Sequence, residues 1–299
     1  MKKMFLIVAL CGMIAPVFAQ MEQEDIAREK TLREKAAQVK ADTSLGWHHN
    51  VVAGLNLTQV SFKDWAAGGE NTLSYTLWLK GASIGDEEKT NWSNAYKLSF
   101  GQTRLGSQGL RKTDDEIYFE SILLYKIGVH INPYAAFTAR TQFAPGYVYA
   151  DDGTRVQVSK FFDPGYLTQS IGASYKPTAE ITTRLGAAVR EIITSDYNGY
   201  SDDPETAEIE KVKVLGGLES VTEVDWAFAE NMKFTSRLEL FAPFKTIDEI
   251  IVRSDNAITA QVNKYITVVL SAQLINEREV TPRTQIKQTL AIGLSYALI

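Results

Sequence analysis

The stretch from Gln285 to Ile299 constrains the chain more than any other. One parity carries Ile286, Gln288, Leu290, Ile292, Leu294, Tyr296 and Leu298, and the other carries Gln285, Lys287, Thr289, Ala291, Gly293 and Ser295. This is a period-two strand with one apolar face and one small or polar face. Two structures accommodate it. One is the edge strand of a soluble sandwich. The other is an outer-membrane β-barrel, whose last strand closes the ring against the first and leaves no edge. The rest of the chain must separate them.

From Gly46 onward about twelve amphipathic strands can be marked, each about 10 to 16 residues long, as a tilted membrane-crossing strand requires. They fall near 46–61, 70–84, 89–105, 113–128, 131–144, 163–176, 178–194, 209–225, 231–243, 249–262, 265–277 and 284–298. Leu73, Tyr75, Leu77 and Leu79 oppose Thr72, Ser74, Thr76 and Lys80; Ile117, Phe119, Leu123, Tyr125 and Ile127 oppose Glu116, Glu120 and Lys126. The segment 249–262 alternates least well, because its parity slips near Asp255. The connections sort by length in strict turn. Those at 84–89, 128–130, 177, 227–230 and 263–264 are short; those at 106–112, 145–162, 195–209 and 276–283 are longer. A membrane barrel has short periplasmic turns and long outer loops, whereas a sandwich has no reason to sort them. The expectation is therefore an all-β chain: a closed antiparallel transmembrane β-barrel of about 12 strands, with both termini periplasmic.

Residues 1–19 read as a secretory signal: Lys2 and Lys3, an apolar run, then Val17-Phe18-Ala19 as a cleavage site. Cys11, the single cysteine, falls inside it, so the mature chain is expected to hold no disulfide. Residues 20–45 read as a charged periplasmic arm or short helix, and 46–299 as the barrel. Outside the signal no apolar run approaches the about 18 residues of a membrane helix. The net charge of −5 and the lack of a basic tract give no reason to propose nucleic acid as a partner.

Trp47, Trp92, Tyr96, Tyr125, Tyr134, Tyr175, Trp226, Phe228 and Tyr265 fall near the short-turn ends, where an interfacial aromatic girdle belongs. Charges on the other parity should face the interior, since Arg or Lys on the lipid face costs about 2–4 kcal/mol at midplane. The lumen-lining candidates are Lys80, Lys97, Glu120, Arg140, Arg184, Glu219, Arg237, Glu239 and Lys287, with Arg190 and Glu223 on the same parity. Counting about the turns pairs Glu120 with Arg140, and Glu219 with Arg237 and Glu239.

Several phrases carry a resemblance: Trp65-Ala-Ala-Gly68-Gly69-Glu-Asn71, Trp92-Ser-Asn94, Asp255-Asn256, Asn263-Lys264-Tyr265 and Ile292-Gly293-Leu294-Ser295-Tyr296. Over residues 46 to 299 the chain resembles an uncharacterised family of Bacteroidota outer-membrane proteins, catalogued only as a domain of unknown function. The resemblance implies a barrel in the outer membrane of a Gram-negative cell and no particular activity. Within the Trp65, Gly68, Gly69, Asn71 motif, the glycines allow a turn of positive φ. Trp65 is expected to clasp the first hairpin in preference to contacting a ligand.

Catalytic chemistry is not expected. His48 and His49 are neighbours on one strand and point to opposite faces, so they cannot chelate together. His130 has no nucleophile beside it. Asp151-Asp152 and Asp202-Asp203 sit in expected loops, but their spacing fits no calcium loop and turn formation explains them. No cofactor, metal or enzyme activity is expected. The Tyr-rich tips 145–149 and 196–200 suit either a ligand or lipopolysaccharide headgroups. The reading is a porin-like passive channel or binding barrel for a small polar or amphipathic molecule, its lumen partly occluded by ion pairs. Its expected partners are outer-membrane lipid and lipopolysaccharide. A structural or interaction barrel with a closed lumen and partner-contacting loops is the alternative, and a lipid-modifying enzyme the third reading.

Overall fold

The computed structural model describes residues 45–62, 70–150, 153–203, 206–278 and 281–298. The expectations for the signal, the charged arm, Trp65, Gly68, Gly69, Asp151 and Asp152 lie outside them. Fourteen strands follow in order: β1 (Gly46–Val60), β2 (Thr72–Asp86), β3 (Thr90–Leu105), β4 (Arg111–Tyr125), β5 (Ile131–Thr141), β6 (Gly146–Tyr149), β7 (Arg155–Ser159), β8 (Gly165–Tyr175), β9 (Ile181–Ile193), β10 (Val212–Ala229), β11 (Met232–Pro243), β12 (Ile251–Gln261), β13 (Ile266–Asn276) and β14 (Gln285–Ala297). Twelve of them form a closed antiparallel barrel, and β6–β7 form a separate hairpin. That hairpin, inside the connection read as a plain loop over 145–162, is an addition to the expected architecture.

Alternation dictates which side each residue faces. Across β12–β13–β14 the register sets Ile258, Leu270 and Leu290 in one row, and Ala260, Val268 and Ile292 in the next. These apolar rows cover the exterior, where Leu270 is 51% and Leu290 72% exposed. At the short-turn end Trp47, Trp92, Tyr125, Tyr175, Trp226, Phe228 and Tyr265 are exposed. Trp47 stacks on His49 and meets Trp92 at 5.8 Å. Tyr134 does not join this band: it lies on the inward parity and is 5% exposed. Opposed glycines make room for it. Gly172 faces Gly186 across β8–β9, and a Cβ on Gly186 would stand 2.8 Å from the Tyr134 hydroxyl.

The parity slip foreseen near Asp255 does not occur. β12 pairs without interruption over 251–260 with β11 and over 252–261 with β13. The pattern is blurred because polar residues stand on both faces. Ser236 donates to Asn256 Oδ1 and Asn256 Nδ2 to Ser254 Oγ, both at 2.8 Å, on the parity of Val252 and Ile258. The register does shift elsewhere: Gly101 and Gln102 of β3 face Asp114 and Lys112, so Thr113 is an extra residue on β4.

Wall pairs run over eight or more register positions, as between β4 and β5, and up to fifteen between β1 and β2. The β1–β14 seam is different. It pairs only Val52–Asn56 with Gly293–Ala297, extended by Leu298 N donating to Val51 O at 2.7 Å.

The two largest connections are tied together. Asp163, 1% exposed, accepts the amides of Ser195 (3.0 Å), Asp196 (2.7 Å) and Tyr197 (3.4 Å), and Lys160 bonds the Asp196 carboxylate. The Lys160 ammonium holds the Asp196 carboxyl below the usual carboxylate range, and Lys160 is raised in turn. The hairpin root is fixed by Lys112, which reaches Asp115, Gln142 and the Ala144 carbonyl at 2.8–2.9 Å.

Candidate functional site in the barrel interior

Strand alternation brings one carboxylate, Glu120, from β4 to the centre of the interior, where it is 4% exposed. Arg184 of β9 donates to its Oε1 at 2.7 Å. Arg237 of β11 grips both oxygens, at 2.9 and 3.1 Å. In wall order β4 and β11 are separated by β5, β8, β9 and β10, so this contact runs across the lumen as a chord. Arg237 uses its remaining donors as well. Its Nε bonds Glu239 Oε1 at 2.7 Å, and Nη1 bonds Glu223, its register partner on β10. One guanidinium thus gathers three carboxylates, which its planar fork of donors permits and an ammonium does not.

A second branch continues from Glu239. Arg140 of β5 stands 3.5 Å from it and 3.3 Å from Glu116, and Lys97 bonds Glu116 from β3. The Arg140–Glu116 contact is poorly aligned for a hydrogen bond and acts as a charge contact. The network holds four cations, Lys97, Arg140, Arg184 and Arg237, against four carboxylates, Glu116, Glu120, Glu223 and Glu239. Buried ions need such closure, because an uncompensated one costs several kcal/mol. The Tyr118 ring supports both guanidinium groups, at 5.1 Å from Arg140 and 5.7 Å from Arg237.

All nine lumen-lining candidates stand on the interior parity, but their pairing differs from the turn-counting expectation. Glu120 does not meet Arg140: the register sets Tyr118 against Arg140 and Glu120 against Thr138. The β4–β5 turn centres one residue earlier than His130. That slides the partners by two and leaves the facing unchanged. Glu219 lies opposite Phe241, while Glu223 is the partner of Arg237. Lys287 stands apart from the network and bonds Asp114 at 2.7 Å. Lys80 is side by side with Lys97 and lies over Trp78 at 5.8 Å.

Above the network, toward the long loops, a cavity of about 40 Å³ is lined by Tyr166, Arg190, Glu219, Arg253 and Glu277. Arg190 lies over the Phe241 ring at 4.5 Å. Phe241 packs with Ala188, Ile251 and Leu215 in a small apolar cluster that narrows the same level. Glu116, Asp114, Arg253 and Glu277 were not among the expected lining residues. Glu116 shares the parity of Glu120, so the alternation contained it. Arg253 was hidden by the blurred pattern of β12.

Of the loop motif, Asn71 is described: its side chain accepts the Phe62 amide at 2.7 Å and its carbonyl accepts the Gly106 amide at 2.7 Å. His49 Nδ1 lies 2.9 Å from Ser83 Oγ, and His130 Nδ1 3.1 Å from the Lys176 carbonyl. Asp202 accepts the Glu210 amide, which makes it a loop-closing residue. Among the described residues no three His, Cys, Asp or Glu side chains converge to hold a metal ion. On the β6–β7 hairpin Tyr147 and Tyr149 stack under Arg155 and Arg111, at 4.8 and 4.2 Å.

Residues 57–147 match the model of a family described as Protein of unknown function (DUF3078). The match contains the Trp65–Asn71 and Trp92–Asn94 phrases; the three later ones lie beyond it. No curated protein matches the sequence. Among solved structures the chain is similar to the translocator domain of the autotransporter NalP from Neisseria meningitidis, at 10% identity and a TM-score of 0.36, covering 92% of this chain and 97% of that one. It is also similar to an outer-membrane channel from Pseudomonas putida F1, at 11% identity and a TM-score of 0.39, covering 85% and 95%. The NanC porin gives 10% identity and 0.39, covering 83% and 98%. Superpositions this loose carry no functional information.

Proposed function

We propose that the chain is an outer-membrane barrel acting as a passive, narrow channel for small polar or amphipathic molecules. The observation that carries this reading is the chord of ion pairs from β4 to β11 inside a closed barrel whose exterior is apolar. An apolar exterior with an aromatic band at one end suits a bilayer. Polar groups crossing the interior suit water and polar solutes, and the balanced signs give no strong preference between anions and cations. Because opposite charges meet across the lumen, the open area is small. No step in this reading calls for a nucleophile or a general base.

The occupied interior also favours a second reading, a closed structural barrel whose long loops contact partners. Planar-bilayer recording separates the two. A small conductance that grows in Glu120→Gln supports the channel; silence in both proteins supports the closed barrel. A large, steady conductance unaffected by the substitution would overturn the occluded lumen. Protease added to intact cells is expected to cut within 142–164 or 194–211 and to spare 263–264. The reverse pattern would invert the proposed orientation.

A further inference from the structure

The short β1–β14 seam leaves a defect in the wall. Continuing its register would set Leu57 against Ile292, Thr58 against Ala291, Gln59 against Leu290 and Val60 against Thr289. None of these four positions pairs, although β1 stays bonded to β2 as far as Val60 and β14 to β13 from Gln285. The last paired position is Asn56 with Gly293. A Cβ on Gly293 would stand 2.0 Å from Asn56 Oδ1, so the amide side chain lies against the glycine where the strands part.

The backbone facing the gap follows from the ladder. Leu298 donates to Val51 across the seam, so odd residues of β1 and even residues of β14 direct their amides and carbonyls there. Leu57, Gln59, Leu290 and Ile292 therefore aim backbone polar groups at the opening. Hydrocarbon alone satisfies none of these groups. Yet the side chains flanking the opening on the exterior are apolar except for Gln59: Leu57, Leu290 and Ile292 are 55%, 72% and 64% exposed. On the interior parity stand Thr58, Val60, Thr289 and Ala291, and then Lys287, whose side chain is 47% exposed even while bonded to Asp114.

We infer that this unzipped seam is a lateral port between the lumen and the bilayer leaflet at the long-loop end, and that its ligand is a single-chain amphiphile with a phosphate-bearing head. The inference rests on the membrane-barrel reading above. The polar head meets the free backbone groups, the threonine hydroxyls and Lys287, while the acyl chain leaves between Leu57 and Leu290. A wholly polar solute finds only Gln59 on the outer side of the port, and a wholly apolar one leaves the backbone groups unmet.

The test uses the full-length protein in phospholipid vesicles with a single-chain phosphocholine bearing a diazirine beside its head group. After illumination, mass spectrometry maps the labelled residues. The expected result is label on inward-facing Thr58, Thr289 or Thr76 as well as on lipid-facing Leu57 and Leu290. In T58C/A291C, whose Cα atoms come within about 4.5 Å when the ladder zips, a disulfide closes the port. Inward label then falls at least tenfold and returns on reduction. Label confined to lipid-facing side chains of the unmodified protein overturns the port, as does inward label that persists when the disulfide has formed. If the double variant fails to insert, the map of the unmodified protein decides alone. Conductance recorded in parallel separates the two readings: a conducting barrel without inward label loses only the port, and a silent barrel with inward label loses only the channel.

Discussion

Two sides of one barrel handle the same problem differently. From β4 round to β12 the interior is crossed by buried ion pairs, and every neighbouring pair of strands is zipped over at least eight positions. At the β14–β1 seam the interior carries threonine, alanine and glycine, one exposed ion pair, and five paired positions. The comparison teaches that cohesion in this barrel comes from across the lumen as much as along the wall. Chords such as Glu120–Arg237 brace strands that never touch. The seam, where the two ends of the chain must meet, has a single weaker chord, the half-exposed Lys287–Asp114 pair from β14 to β4.

The largest way to break the contrast is Arg237→Met. It leaves Glu120, Glu223 and Glu239 short of a shared cation, and loss of one member of a buried network costs about 3–5 kcal/mol. Lys287→Met on the other side removes a pair with half-exposed members and is expected to cost about 0–1 kcal/mol. Urea unfolding followed by gel mobility measures both; equal costs would erase the distinction between the two sides. Next is Glu120→Gln, which strands Arg184 and weakens the hold on Arg237. It is expected to cost about 1–3 kcal/mol while raising conductance.

How far these residues were legible in the sequence depends on what the physics of a strand conceals. Alternation reveals facing, so Glu120, Arg184, Arg237 and Glu239 were all readable as interior. Register is a different quantity. A slip of two residues changes every partner and no facing, which is why Glu120 was matched to Arg140 when its partners are Arg184 and Arg237. Chords were beyond reach altogether, since β4 meets β11 only when the ring has closed. Arg253 was lost because Ser254 and Asn256 satisfy each other on the outer face. The hairpin β6–β7 stayed hidden because its strands, four and five residues long, look like a Tyr-rich loop.

Glycines give a finer comparison. Gly172→Ala places a Cβ 2.1 Å from the Leu185 carbonyl, so two tightly paired strands must shift; about 1–3 kcal/mol is expected. Gly293→Ala meets a side chain, Asn56, which can swing aside, and should cost less while splaying the seam further. Faster amide exchange at 293–297 checks that outcome. The smallest effect belongs to the outer tether. Asp196 is held below its ordinary value of 3.8, so its contribution is present above that pH and fades as the pH falls through the depressed value. Lys160, raised above 10.5, contributes below that pH and loses its effect as the pH rises through the raised value. Protease nicking of 194–211 should therefore be flat near neutrality and quicken only toward the acid and alkaline extremes.

Asp163 has a further consequence for how the surface is seen from outside. Because one buried carboxylate holds three successive amides of the neighbouring connection, the two largest loops present a single composite face. An antibody raised against the folded protein in this region would recognise residues from both, and neither loop supplied as a linear peptide would compete for it. Shortening the 142–164 connection would then abolish recognition of 194–211 without altering one residue of it.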